Sequence, residues 1–256
     1  MIPKVRDWLE TQGFTLEMRT ASAFRAAGFE VRQSSHYIDS ETGKGREIDV
    51  VARDPDILGV VDITFIVECK SSKKPWVLLC SPDTVVGYNR LFALGVLSEK
   101  AIEVMADYVA DLLPKFDWLR KEGLIGYSAR QAFSDSDVTY AAAIGVAKAC
   151  DSWIHRPESE YVPPYAFAFP VIVVDSPILQ CSLGEGGSIE VSEVEQGEFL
   201  FVARLPRYFG SCIRLVLASR LPVFAREAKA VADLLRTEFK PAEQRVVDSW
   251  HARKPE

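Results

Sequence analysis

Between Gly45 and Ser72 the chain reads GREIDVVARDPDILGVVDITFIVECKSS, and no other stretch restricts the fold as much. Two runs rich in β-branched residues, 46–53 and 60–70, predict strands, and RDPDILG between them supplies turn residues. The pair therefore predicts a β-hairpin. Yet Glu47, Asp49, Glu68 and Lys70 put charge into these apolar runs. Taking an ion out of water without a partner is costly, so ions in such places are paired, metal-bound or chemically useful.

Side chains alternate along a strand, which sets Glu68 and Lys70 on one face and Val67 and Cys69 on the other. The same rule groups Asp49 with Glu47 and Val51, and places Ile48 and Val50 opposite. Across the hairpin Asp49 then comes near Glu68, with Lys70 beside them. Paired carboxylates, a backbone carbonyl such as that of Cys69, and water suit Mg²⁺, a hard ion that keeps waters and binds phosphate oxygens. Such a metal polarises a phosphodiester and acidifies its water, and a neighbouring lysine orients or deprotonates that water or neutralises developing charge. The plain structural alternative is a salt bridge across two strands, which stabilises a sheet modestly.

Elsewhere the patterns are mixed. GFTLEMRTASAFRAA predicts a helix over 13–27, with Phe14, Met18, Ala21 and Phe24 at helical spacing and Gly28 as its stop. Phe29 to Gln33 reads as a short strand, 34–45 as a polar loop, and WVLLC at 76–80 as a strand continuing the sheet after Pro75. Residues 84–122 read as mainly helical until Pro114, while 123–133 carries no clear pattern. A helix follows over 135–156, capped by Asp or Ser. Strands are expected at 170–174, 178–183, 188–194, 198–205 and 212–218, with a last helix over 222–238.

The hairpin with EID at 47–49 and ECK at 68–70 resembles the PD-(D/E)XK, or restriction-endonuclease-like, nuclease superfamily, in its Mrr-like and Holliday-junction-resolvase branch. The resemblance covers about 13–80. It implies an α/β fold with an α-β-β-β-α-β core, whose second helix is 135–156 and fourth strand 170–174. Residues 81–134 become a helical insertion. The nuclease-like core then spans 1–175, and 176–256 forms a β-rich extension with the C-terminal helix. By the same resemblance Asp49 and Glu68 bind the metal and Lys70 serves the water. Glu17 matches a glutamate that many members carry on the first helix facing the site, and the resemblance makes it a further support for the metal; it also lies on the stripe that should face the core, where an acid is unusual. Ile48 stands where the superfamily's name has proline, and Gln131 matches a downstream glutamine of some branches less well than it fits a surface role.

The implied function is a metal-dependent endonuclease acting on DNA with Mg²⁺ or Mn²⁺, in host defence or repair. Lys73 and Lys74 in KSSKK are candidates to grip phosphates, and Trp76 to stack a base or, more simply, to fill the core. His36, His155 and His251 lack metal-ligand spacing. A net charge of −6 argues against a broad coat of nucleic acid but leaves room for a local basic cleft. That balance also supports the alternative of a non-cutting nuclease-fold protein that binds nucleic acid or assembles with others, as a homodimer or with a partner protein. Five scattered cysteines without a CxxC pair, and no apolar signal core in MIPKVRDWLE, give the expectation of a cytoplasmic protein with no membrane association.

Overall fold

A computed structural model describes residues 1–39, 41–86, 93–112, 115, 124–156, 161–205 and 207–252. Among these lie five α-helices: α1 (Ile2–Thr11), α2 (Phe14–Ala26), α3 (Glu99–Leu112), α4 (Val138–Ile154) and α5 (Leu221–Ala252). The strands are β1 (Glu30–Ile38), β2 (Gly45–Arg53), β3 (Val61–Lys70), β4 (Trp76–Ser81), β5 (Val96–Leu97) and β6 (Ile125–Gln131). Five more follow: β7 (Tyr165–Val174), β8 (Ile178–Leu183), β9 (Ile189–Val194), β10 (Gln196–Arg204) and β11 (Tyr208–Leu217).

All eleven strands join one mixed sheet in the order β1-β2-β3-β7-β11-β10-β6-β4-β8-β9, with β5 paired to β7. The fold is mixed α/β. β1, β2 and β3 form an antiparallel meander, and β7 runs parallel to β3 from Val61–Tyr165 to Lys70–Val174. All ten residues of β7 are buried, as expected of a strand covered on both faces.

Two apolar layers provide that cover. On one face Phe24 of α2, Met105 of α3 and Phe224, Leu235 and Phe239 of α5 pack on Val50, Phe65, Val67, Phe169 and Val171. On the other, α4 lays Ala142, Val146 and Cys150 over Val51, Ile66, Ile172 and Leu215. Asp137 caps α4 by accepting the Tyr140 N–H at 2.9 Å. Phe65 and Phe169 stack at 4.8 Å between ring centres, which fixes β3 against β7 within the first layer.

The closed end of the β2–β3 hairpin is bound by buried ions. Asp62 accepts from Arg53 and Arg156, each at 2.9 Å, from Thr64 at 2.8 Å and from the Trp153 indole at 3.2 Å. Asp54 holds Lys229 at 2.8 Å and also pairs with Arg236 of α5. Each carboxylate is surrounded by donors, which is the condition for keeping a charge out of water.

Several expectations give way here. Residues 34–38 are strand rather than loop, because β1 is an edge strand whose polar residues face water. The 76–80 strand joins the same sheet but not beside β3: in the strand order it stands between β6 and β8. The 84–122 stretch contains β5 as well as α3, and 123–133 holds β6, so the segment 81–134 is not simply helical; 87–92, 113–114 and 116–123 fall outside the described residues. β7 begins at Tyr165, five residues before the expected 170, since Pro170 lies inside the strand and not at its start. Helix α1 carried no expectation, and α5 continues through Pro241 to Ala252 because Phe239 and Ala242 are buried on its inner face. No helix among the described residues is long and apolar enough to cross a membrane.

Candidate active site

The open end of the same hairpin carries the charged residues. Backbone pairing of β2 with β3 runs from Arg53–Thr64 only as far as Val50–Val67. Past that point Asp49 extends its carboxylate to the Cys69 N–H, accepting at 2.7 Å. Asp49 also faces a distortion on its other side. Ser34 has φ +51°, and the β1–β2 register pairs Gln33 with Val50 and Ser35 with Ile48 but makes no pair at Ser34.

That distortion corrects the expected alternation. Ile48 shares the α4-side layer with Val51, whereas Val50 packs in the opposite layer. Strict alternation would have put Ile48 with Val50. The faces reset at the position where the β1–β2 ladder makes no pair.

Glu68 and Lys70, two apart on β3, form an ion pair with Nζ 2.5 Å from Oε1. Burial pushes the Glu68 carboxyl up, Asp49 adds to this, and Lys70 partly offsets it. Asp49 is also held above its ordinary value by burial, against the pull of the Cys69 N–H and Lys70. Burial works against the Lys70 ammonium, but Glu68 and Asp49 outweigh it and raise its pKa, so Lys70 stays charged.

Helix α2 brings Glu17 to this group. The helix starts at Gly13, whose φ of +83° suits glycine, and a Cβ there would lie 3.5 Å from that of Ser71. The chain following Lys70 thus abuts the start of α2. Leu16, Thr20, Ala21 and Phe24 form the buried stripe, while Phe14 and Met18, expected on it, are exposed; Glu17 lies half-buried at its edge. Its pKa rises to about 6, through burial first and then the charges of Asp49, Glu47 and Glu68, with Lys70 opposing. Thr20 accepts a long 3.6 Å contact from the Cys69 thiol, and burial pushes that thiol up.

Glu68 also lines a cleft of about 440 Å³ between β1–β3 and α4, together with Tyr37, Asp39, Arg46 and Lys148. Lys148 bridges Glu41 at 2.5 Å and Asp39 at 3.1 Å. Burial works against the Asp39 carboxylate, yet Lys148 and the Glu41 and Thr42 N–H groups hold it below its ordinary value. Burial and then Asp39 push the Tyr37 phenol up to about 12. None of these cleft residues stood out in the sequence. The alternation of β1 into Tyr37 and Asp39 was the available signal, lost when the segment read as loop.

The remaining candidates separate clearly. Glu47 is exposed on β2, and Lys73 and Lys74 are exposed on the turn after β3. Asp175, just past β7, pins that turn by accepting the Ser72 N–H at 2.8 Å and the Ser71 hydroxyl at 2.5 Å. Gln131 donates to Ser72 at 2.8 Å and to the Lys74 carbonyl at 3.4 Å. Trp76 is fully buried, which rules out stacking on a base in this conformation. His36 is exposed opposite Glu47, His155 bonds Asp151 at 3.0 Å, and His251 is exposed near the end of α5. Among the described residues no group of three or more histidine, cysteine, aspartate or glutamate side chains is arranged to hold a metal ion.

Comparison of the chain with protein-family models, with characterised proteins and with solved structures gives no match.

Proposed function

We propose that this chain is a metal-dependent nuclease of the restriction-endonuclease-like kind, hydrolysing phosphodiester bonds of DNA. The observation that carries this reading is the meeting of Asp49, Glu68 and Lys70 where β2 and β3 part, with Glu17 in electrostatic reach from α2. The succession α2-β1-β2-β3-α4-β7, with β7 parallel to β3, supports it as the α-β-β-β-α-β order that the resemblance implies. β4, β5, α3 and β6 are then inserted between β3 and α4.

The donor chemistry fits a hard divalent cation such as Mg²⁺, with Mn²⁺ as substitute. Asp49 and Glu68 offer carboxylate oxygens whose ionisation burial disfavours, and a cation relieves that cost. These two would hold it, with the Cys69 carbonyl as a further oxygen donor. When bound, such an ion supplies polarisation of the phosphodiester and a more acidic water. The chain's own groups do the rest. Lys70, kept protonated by its acidic neighbours, donates to a phosphate oxygen as negative charge grows, and so acts as a charge stabiliser instead of a base. Glu17, titrating near 6, is the carboxylate best matched to accept a proton from water near neutral pH. The Cys69 N–H keeps Asp49 in place.

A second reading is a non-cutting nuclease-fold module that binds nucleic acid. It is favoured by the closed Glu68–Lys70 pair and by the lack of a convergent three-ligand group among the described residues.

The test compares wild type, Lys70→Ala and Asp49→Ala on labelled DNA of several forms, with Mg²⁺, Mn²⁺ or chelator. Expected are cleavage by wild type only with metal, a loss of roughly 10²-fold or more for Lys70→Ala, and no cleavage by Asp49→Ala. Cleavage persisting in chelator, or equal rates in all three proteins, refutes the assignment. Binding without cleavage in every condition favours the non-cutting module.

A further inference from the structure

Folding physics disfavours Phe133 twice over. Its side chain is 86% exposed, and its backbone sits at φ +57°, a region that bulky L-residues avoid. Such a residue contributes little to stability where it stands. A glycine would relieve the backbone and expose less apolar surface.

The loop that carries it is nevertheless firmly placed. The Ala132 N–H donates to the Pro75 carbonyl at 2.9 Å, and Gln131 reaches Ser72 and the Lys74 carbonyl. Through Ser72 the same turn is tied to Asp175. The two residues before Phe133 are thereby held to the turn that follows Lys70, a turn that presents Lys73 and Lys74 to solvent. Four residues of chain span at most about 14 Å, so Lys74 is within roughly four nucleotide steps of Lys70.

We infer that Phe133 is a base-stacking residue, which receives an unpaired base of a strand whose scissile phosphate lies at Asp49, Glu68 and Lys70. The inference rests on the nuclease reading and deepens it. The substrate class becomes nucleic acid with unpaired nucleotides beside the cut, in place of uninterrupted duplex.

Charge alone does not recommend a polyanion here. Lys73, Lys74 and Arg130 are balanced in number by Asp135, Asp137 and Asp175. Asp137 is engaged as the cap of α4 and lies 3.9 Å from Arg130, and Asp175 is engaged with Ser71 and Ser72. Two lysines remain on the turn to meet phosphates. Stacking must then supply most of the attraction, and it works with any base because every base has a π-face. A duplex interior offers no such face, since its bases are already stacked on each other. The preference for unpaired strands follows from that difference.

The test uses the full chain and DNA with 2-aminopurine in the single-stranded arm of a fork, beside a fully paired duplex of the same length. Binding is measured with Ca²⁺ in place of Mg²⁺ and again in chelator. Wild type and Phe133→Trp are expected to prefer the fork and to quench the probe. Phe133→Gly should lose that preference by about 10-fold and lose the quenching, within the range measured for one stacked base. Its thermal midpoint should rise by roughly 2–4 °C as the backbone relaxes. An unchanged fork preference in Phe133→Gly overturns the inference and leaves the nuclease reading to the Lys70 and Asp49 assay. A fall in its midpoint marks Phe133 as a packing residue and also overturns the inference. Wild type that binds neither DNA in either condition overturns both.

Discussion

Asp49 accepts the Cys69 N–H at 2.7 Å, and this bond spans the point where β2 and β3 stop pairing through their backbones. The carboxylate therefore has a structural duty as well as the proposed chemical one. Asp49→Asn keeps an acceptor oxygen and removes a charge that burial disfavours, so its stability should equal or exceed that of wild type. Asp49→Ala leaves the N–H unpaired and should cost about 1 kcal/mol or somewhat more. Urea unfolding of the two variants separates the roles, since both should be inactive but only one destabilised.

Glu17 gives a pH-dependent expectation. Its folded pKa of about 6 lies above the ordinary 4.5, so the folded state binds the proton more tightly than the unfolded chain. No penalty exists below about 4.5; it grows as pH rises towards 6 and is complete above it. Glu17→Gln should therefore stabilise the protein at pH 8, by about 1 kcal/mol after allowing for solvent screening of a half-buried group. The gain should vanish at pH 4. Melting curves at the two pH values check this, and equal shifts at both would refute it.

Metal binding can be tested apart from cleavage. A cation that binds only the folded protein stabilises it by about 2.7 kcal/mol when present at 100 times its Kd. Saturating Mg²⁺ should raise the wild-type midpoint by roughly 5–10 °C at 2–4 °C per kcal/mol, and chelator should reverse the rise. Asp49→Asn and Glu68→Gln should show little of it. Lys70→Ala should keep most of it, because the lysine is assigned to the phosphate and not to the ion.

Lys148 ties the β1–β2 turn to α4 through Asp39 and Glu41 at the edge of the cleft. Lys148→Ala leaves Asp39 without its ammonium but with Arg46 and the Glu41 and Thr42 N–H groups, and should cost about 1–2 kcal/mol, less than breaking a fully buried pair. The depressed Asp39 contributes stability above its ordinary pKa of 3.8 that is lost as pH falls through the folded value. Lys148, raised above 10.5, contributes below that value and loses its contribution as pH climbs through the folded one. The deficit of the variant should thus be flat near neutrality and shrink in acid. Denaturant titration at pH 7 and pH 3 measures both.

The hairpin was legible because its β-branched runs and its turn residues agree; β2 and β3 end at Arg53 and Lys70 as expected and start within one residue of the expected places. What misled was local chemistry read without its tertiary setting. Polar Ser34 to Tyr37 suggested a loop, but an edge strand tolerates such residues. The expected strand began only at Pro170, and the expected last helix ended at 238, before Pro241. No β7–β11 pair includes Pro170, and α5 is carried past Pro241 by buried residues on either side of it. The charged residues of the site were visible as interruptions of apolar patterns. The cleft was not, since Tyr37 and Lys148 meet across more than a hundred residues of chain.

The β2–β3 hairpin keeps its two kinds of charge at opposite ends. Asp54 and Asp62 bind the turn end to α4, α5 and the loop past α4, while Asp49, Glu68 and Lys70 occupy the end where the strands part. The groups that bind the turn end are thus different groups from those gathered at the open end. Descendants of such a chain are free to alter the open end, trading one reaction for another or for none, while inheriting an undamaged framework. Divergence of chemistry and persistence of shape are, in this arrangement, independent variables.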